Sequence, residues 1–194
     1  MKNIAVFVFN GFSDWEIAYL CPEINKNEKF ELQFFSLSGE DVYSMGGMKI
    51  RPNNSLQAIN LSDIEMLILP GGTAWEKDEN NGIIPLINST FENGKTIAAI
   101  CGATIFLGQL GFLDNCKHTS IDYYYLKQSA PNYKGDSFYT NSLAVSDKNI
   151  ITANGIAPIE FAREIFSRLE LFTPVNLEKW FQLYKNGIWA EIAT

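Results

Sequence analysis

The sequence predicts an α/β protein with a mostly parallel central sheet and helices on both faces. Three observations carry this. Apolar runs of strand length recur at residues 4–9, 66–69 and 96–100. Each ends on a turn signal: Asn10-Gly11, Pro70-Gly71-Gly72 and Cys101-Gly102. Stretches with helical apolar spacing separate them. A strand buried on both faces reads as a continuous run, and its alternation with helices implies right-handed crossovers onto a parallel sheet.

Bulk properties fit one domain over residues 1–194, long enough for a full core. With 46% apolar and 19% charged residues the chain is globular. A net charge of −7 argues against nonspecific nucleic-acid or anionic-membrane partners. No apolar run is long enough for a bilayer, and Met1-Lys2-Asn3-Ile4 leads directly into a strand without a signal-peptide pattern, so a cytoplasmic location is expected. The 3 cysteines, Cys21, Cys101 and Cys116, form no close pair, which fits a reducing compartment. With 1 histidine there is no metal-ligand spacing, and no phosphate-cradling loop is present, so neither metal nor cofactor is expected.

In chain order, residues 4–9 form a central strand. Ser13 or Asp14 then caps a helix with Ile17, Leu20, Cys21 and Ile24 on one face, which makes Cys21 a core residue. Residues 30–37 are a strand, and residues 42–50, with Gly46-Gly47 inside, a β-hairpin excursion. After strand 66–69 a polar loop carries Trp75, and residues 83–91 are a helix with Pro85 in its first turn. Gly94 stops that helix, and Gly111 stops the one following Cys101. Asp114-Asn115-Cys116-Lys117 reads as an exposed turn, residues 118–121 as a short strand, and 123–128 as a short helix. Residues 138–145 and 150–153 are strands. Two helices close the chain, one bearing Ala162, Ile165, Phe166 and Leu169, the other starting near Pro174 and ending near Tyr184.

Chemistry in such sheets gathers at the C-terminal strand ends, so the stretches after Phe9, Leu69 and Ile100 should share one rim. Cys101 stands where a strand turns directly into a helix. Such corners force strained dihedrals and expose the side chain, and a helix N-terminus favours a thiolate. The other reading of Cys101 is a small buried hydrophobe. Glu16 has capping-box spacing to Ser13, or it partners Cys101, which would pair a raised carboxyl pKa with a depressed thiol pKa. Gly71-Gly72 is an ordinary turn, or the Gly72 and Gly102 N–H groups form an oxyanion hole beside the sulfur. His118 is a proton carrier for the cysteine or a structural strand histidine. Asp14, Trp15 and Trp75 are candidates for a pocket mouth, the aromatics otherwise for the core.

Four stretches in order, Asp14-Trp15-Glu16, Leu69-Pro70-Gly71-Gly72, Ala98-Ala99-Ile100-Cys101-Gly102-Ala103 and Ile151-Thr152-Ala153-Asn154-Gly155 leading to Glu160-Phe161-Ala162, resemble the ThiJ/PfpI family of the class I glutamine-amidotransferase-like superfamily. That family includes intracellular peptidases, glyoxalase III-like enzymes and a protein deglycase. The resemblance implies a flavodoxin-like sandwich, usually a homodimer, with Cys101 as nucleophile, Glu16 hydrogen-bonded to it, and Gly72 and Gly102 at the oxyanion-hole positions. It implies a small-molecule carbonyl or peptide-like substrate. The chain departs from the pattern at its histidines. PfpI-type peptidases carry histidine directly after the cysteine, where Gly102 stands, and the other family histidine position falls near Ile121, three residues after His118. Two functions follow from the same thiol: a cysteine-dependent hydrolase-like enzyme, or an oxidant and electrophile sensor without turnover.

Overall fold

A computed structural model describes residues 1–60 and 63–192. Seven strands form one sheet in the order β5-β2-β1-β6-β7-β9-β8. They are β1 (Lys2–Phe7), β2 (Phe30–Ser36), β5 (Asn54–Ser55), β6 (Ile64–Leu69), β7 (Thr96–Ile100), β8 (Ala144–Asp147) and β9 (Ile150–Ala153). All neighbours are parallel except the β8–β9 edge pair. The apolar runs explain the centre: Ile4–Phe7, Met66–Leu69 and all of β7 are buried. Helices α1 (Leu20–Asn25), α2 (Ile84–Glu92), α3 (Gly102–Gln109), α4 (Tyr123–Ser129), α5 (Pro158–Arg168) and α6 (Pro174–Asn186) surround it, giving the flavodoxin-like α/β sandwich. None of them, among the described residues, is long and apolar enough to cross a membrane.

The sheet reverses its winding between β1 and β6, because β2 lies on one side of β1 and β6 on the other. Such a switch point opens a crevice at the C-terminal strand ends. The hairpin excursion is also present, as β3 (Val42–Tyr43) paired antiparallel with β4 (Lys49–Ile50). It is stitched back to the loop after β1. Gly11 N–H donates to Tyr43 O at 2.7 Å, Met45 N–H to Phe12 O at 2.8 Å, and Asp14 accepts from Gly46 N–H at 2.9 Å and from the Ser44 hydroxyl.

Four local expectations are corrected. The first helix does not run from Ser13; a single 3-10 turn, Asp14–Glu16, precedes α1. Pro22 is the reason, since it fits a first helical turn but would break the interior of a longer helix. Residues 118–121 make no strand, only a bridge between His118 and Tyr139. Side chains satisfy their backbone instead: Thr152 Oγ1 accepts from Thr119 N–H at 2.9 Å, and Asn154 Nδ2 donates to Ile121 O at 2.6 Å. Residues 138–145 are a 3-10 turn and loop up to β8 rather than a strand. Cys116 is not exposed but 3% accessible, its sulfur 3.4 Å from Phe112 O, and burial pushes its thiol up to about 11.

Candidate active site

The rim expected from the sequence exists. Ser13 N–H donates to Gly71 O at 3.0 Å, joining the β1 end to the β6 end, and Cys101 N–H donates to Ala153 O at 3.0 Å, joining β7 to β9. Cys101 takes φ 59° and ψ −130°, a left-handed corner between β7 and α3. Thr104 fixes that corner: its hydroxyl donates to Cys101 O at 2.6 Å and lies 2.7 Å from the Ser120 hydroxyl.

Glu16 is fully buried, yet it is not the carboxylate of a capping box, and Ser13 makes no side-chain cap. The 3-10 turn brings it inward, where Oε2 accepts the Gly71 N–H at 2.6 Å. Its other oxygen, Oε1, is buried without a hydrogen-bond partner. Glycines press carboxyl and sulfur together. A Cβ on Gly71 would lie 2.8 Å from Glu16 Oε2 and 3.0 Å from Cys101 Sγ, and one on Gly155 would lie 2.8 Å from that Sγ and 3.5 Å from Glu16 Oε1. Either side chain would fill the space between them. The Asn154-Gly155 turn was legible as a strand end, but its role as a wall of the site was not.

Electrostatics make the two groups one system. Burial raises the Glu16 carboxyl to about 7, against smaller lowering by the Gly71 N–H and the Cys101 thiol. The thiol is pushed up to about 12, first by burial and then by the Glu16 charge, while the Gly102 N–H acts to lower it. A raised carboxyl therefore accompanies a raised thiol, and the expected depressed thiol is corrected. A desolvated sulfur facing a carboxylate resists a second negative charge. Between about 7 and about 12 the pair holds one proton between two acceptors.

The remaining candidates separate. Gly102 sits beside Gly72, since a Cβ on it would lie 3.1 Å from Gly72 O. The Gly72 N–H meets no acceptor among the described residues. His118 is buried, with Nδ1 2.8 Å from Cys116 O and Nε2 2.7 Å from the Tyr133 hydroxyl. Both ring nitrogens are thus committed away from the sulfur, which corrects the proton-carrier reading. Trp75 is core, edge-on to Phe9 and tilted against Phe106 with ring centroids 5.3 and 4.8 Å away, its indole N–H donating to Pro70 O at 2.8 Å. Asp14 serves the hairpin, and Trp15 is exposed beside it. Two residues were missed: Tyr125 and Glu76, the second of which acts to raise both the Cys101 thiol and the Tyr125 phenol. Nothing at their positions distinguished them from surface residues of a loop and a short helix.

Residues 2–168 match the model of the DJ-1/PfpI family. The chain belongs to the DJ-1/PfpI family. It is 40% identical over 191 residues, 95% of this chain and 91% of the relative, to a Bacillus subtilis protein named uncharacterized protease YoaZ. It is 27% identical over 119 residues to a Thermococcus kodakarensis protein named deglycase TK1284, covering 61% of this chain and 71% of that one. Among solved structures, a ThiJ/PfpI family protein from Bacillus anthracis superposes with TM-score 0.91 at 40% identity, over 96% of this chain and 92% of that one.

Proposed function

We propose that this DJ-1/PfpI protein is a cysteine-dependent hydrolase-like enzyme acting on a small carbonyl compound or a peptide-like substrate. One observation carries the reading: a buried carboxyl and a thiol share a glycine-walled space that excludes any other side chain. The proton moves from sulfur to Glu16 as the sulfur adds to the carbonyl carbon, and a C–S bond forms as the C=O π bond opens. The oxygen takes the electron pair, and the N–H groups of Gly72 and Gly102 hold it. With an amide or ester, Glu16 then delivers its proton to the departing amine or alcohol as the C=O bond re-forms, and water hydrolyses the acyl thioester to the acid and the free thiol; with an aldehyde the proton goes to the oxygen of the hemithioacetal. The names protease and deglycase carried by relatives are compatible with such an addition.

The test is site-resolved labelling by a carbonyl-type electrophile followed by turnover assays. Cys101 should label ahead of Cys21 and Cys116, because burial raises all three thiols but only Cys101 shares its space with a buried carboxyl that can take its proton. Turnover surviving Cys101→Ser intact would overturn the enzyme reading.

His118, with both nitrogens committed elsewhere, favours a second reading: a sensor in which peroxide oxidises the Cys101 thiolate to sulfinate. Two peroxides are reduced to water as two oxygens are added. Sulfinate at Cys101 after mild peroxide, with no turnover on any carbonyl substrate, would select it. We further propose a homodimer. Trp15, Tyr43, Met45 and Met48 are exposed on the segment that the hairpin hydrogen bonds hold together, a patch of the type that marks association. Sedimentation giving the mass of one chain would contradict it.

A further inference from the structure

We infer that Asn154 is the positioning residue of the Cys101 site: its side-chain amide closes a hydrogen-bonded ring around the β7–α3 corner and so holds the Gly155 backbone against the sulfur. This rests on the reading of Cys101 and Glu16 as the reacting pair, and it names the residue that keeps their shared space closed.

The ring can be followed bond by bond. Cys101 N–H donates to Ala153 O at 3.0 Å, and Ala153 leads directly into Asn154. Asn154 Nδ2 donates to Ile121 O at 2.6 Å and to Ser120 O at 3.2 Å. The Ser120 hydroxyl lies 2.7 Å from that of Thr104, which donates to Cys101 O at 2.6 Å. The single Thr104 hydroxyl proton is thereby used, so Ser120 is the donor between the two hydroxyls. The path returns to the residue it left, gripping Cys101 by both its N–H and its carbonyl. Thr104 and Ser120 are 0% and 1% accessible, so opening either link leaves a buried polar group unpaired.

Asn154 also sets the turn that follows it. Its N–H donates to Leu143 O at 2.9 Å, its Oδ1 accepts from Ile156 N–H at 3.1 Å, and its carbonyl accepts from Ala157 N–H at 2.9 Å. Gly155 is therefore fixed between two anchored residues. A Cβ there would lie 2.8 Å from Cys101 Sγ and 3.5 Å from Glu16 Oε1, the carboxyl oxygen that is buried without a partner. Cys101 is the titratable group against Glu16, and Gly71 and Gly155 bring backbone to it. If the turn loosens, water reaches Oε1, and the burial that raises the Glu16 carboxyl to about 7 is relieved.

The experiment follows Cys101 alkylation by iodoacetamide against pH, by peptide mass spectrometry, with thermal melts on the same proteins. The parent rate should step up near 7. In Asn154→Ala that step should move toward the ordinary carboxyl value by about one pH unit or more. Thr104→Val cuts the ring on the other side of the corner with little change of shape and should move the step in the same direction. Thr104→Ser, which restores the hydroxyl, should return it. Asn186→Ala, which removes a side-chain bond to Gln182 on α6, should leave it in place. A merely structural asparagine would lower Tm and leave the step near 7, and that result overturns the inference. Should Asn154→Ala not fold, an unmoved step in Thr104→Val overturns it equally. A parent without a step near 7 overturns the pairing of Cys101 with Glu16 and this inference with it.

Discussion

At the scale of single residues, Glu16 carries the account. Its carboxyl rises from an ordinary 4.5 to about 7 on folding. Between those values the folded protein holds a proton that the unfolded chain has lost, so stability is fullest below 4.5 and falls as pH rises to 7. At about 1.4 kcal/mol per pH unit, the loss is on the order of 3 kcal/mol. Glu16→Gln keeps an acceptor for the Gly71 N–H and removes the charge. We expect it to raise Tm, by more at pH 8 than at pH 4.5, in thermal melts at the two pH values; an equal shift at both would contradict the burial cost. Gly155→Ala is the steric counterpart. Its Cβ would lie 2.8 Å from the sulfur and 3.1 Å from the Cys101 Cβ, whose position the β7–α3 corner fixes. Labelling of Cys101 should fall by at least tenfold while circular dichroism stays native-like. These residues were unevenly legible. Cys101, Glu16, Gly72 and Gly102 stand at strand ends that any parallel-sheet reading selects. Glu76 and Tyr125 depend on how one loop and one short helix pack on α3, and local spacing does not encode that.

At the scale of elements, the β7–α3 corner stores strain. A non-glycine residue at φ 59° and ψ −130° costs about 1–3 kcal/mol. Cys101→Gly should therefore be more stable than Cys101→Ala by about 1–2 kcal/mol in urea unfolding, although both lack the sulfur. Equal stability would mean that the corner is relaxed. Asp14 gives a second expectation. It accepts the Gly46 N–H and the Ser44 hydroxyl, and both donors lose their partner in Asp14→Ala. That substitution should cost about 1–3 kcal/mol and raise amide exchange across residues 42–50. The elements themselves were legible wherever apolar runs are continuous, as in β1, β6, β7 and β9. They were misread where hydroxyl and amide side chains replace a ladder. Thr119 and Asn154 do so around residues 119–121, and nothing in the spacing of those residues reveals it. Pro22 was the overlooked sign that the first helix starts late.

At the scale of the whole molecule, the switch point between β1 and β6 gathers four strand ends onto one rim. The loops after β1, β6 and β9 bring Glu16, Gly71 and Gly155 around the sulfur that β7 presents. Order along the chain made three of these ends predictable, and the sheet order supplies the fourth. His118 shows the opposite case. Its closeness to Cys101 in sequence suggested a partnership, but the connection after α3 carries it into a hydrogen-bonded layer with Tyr133 instead. The proposed chemistry therefore rests on a two-group proton system rather than on an imidazole.

The rate of Cys101 alkylation by iodoacetamide against pH, in the parent and in Glu16→Gln, tests that system most directly. In the parent the rate should rise through about 7, as the pair loses its first proton, and rise again toward about 12. Glu16→Gln should lose the step near 7. Its single thiol titration should fall below the parent's upper step, because the opposing carboxylate is gone. One ordinary thiol curve, identical in both proteins, would contradict the pairing of Cys101 with Glu16.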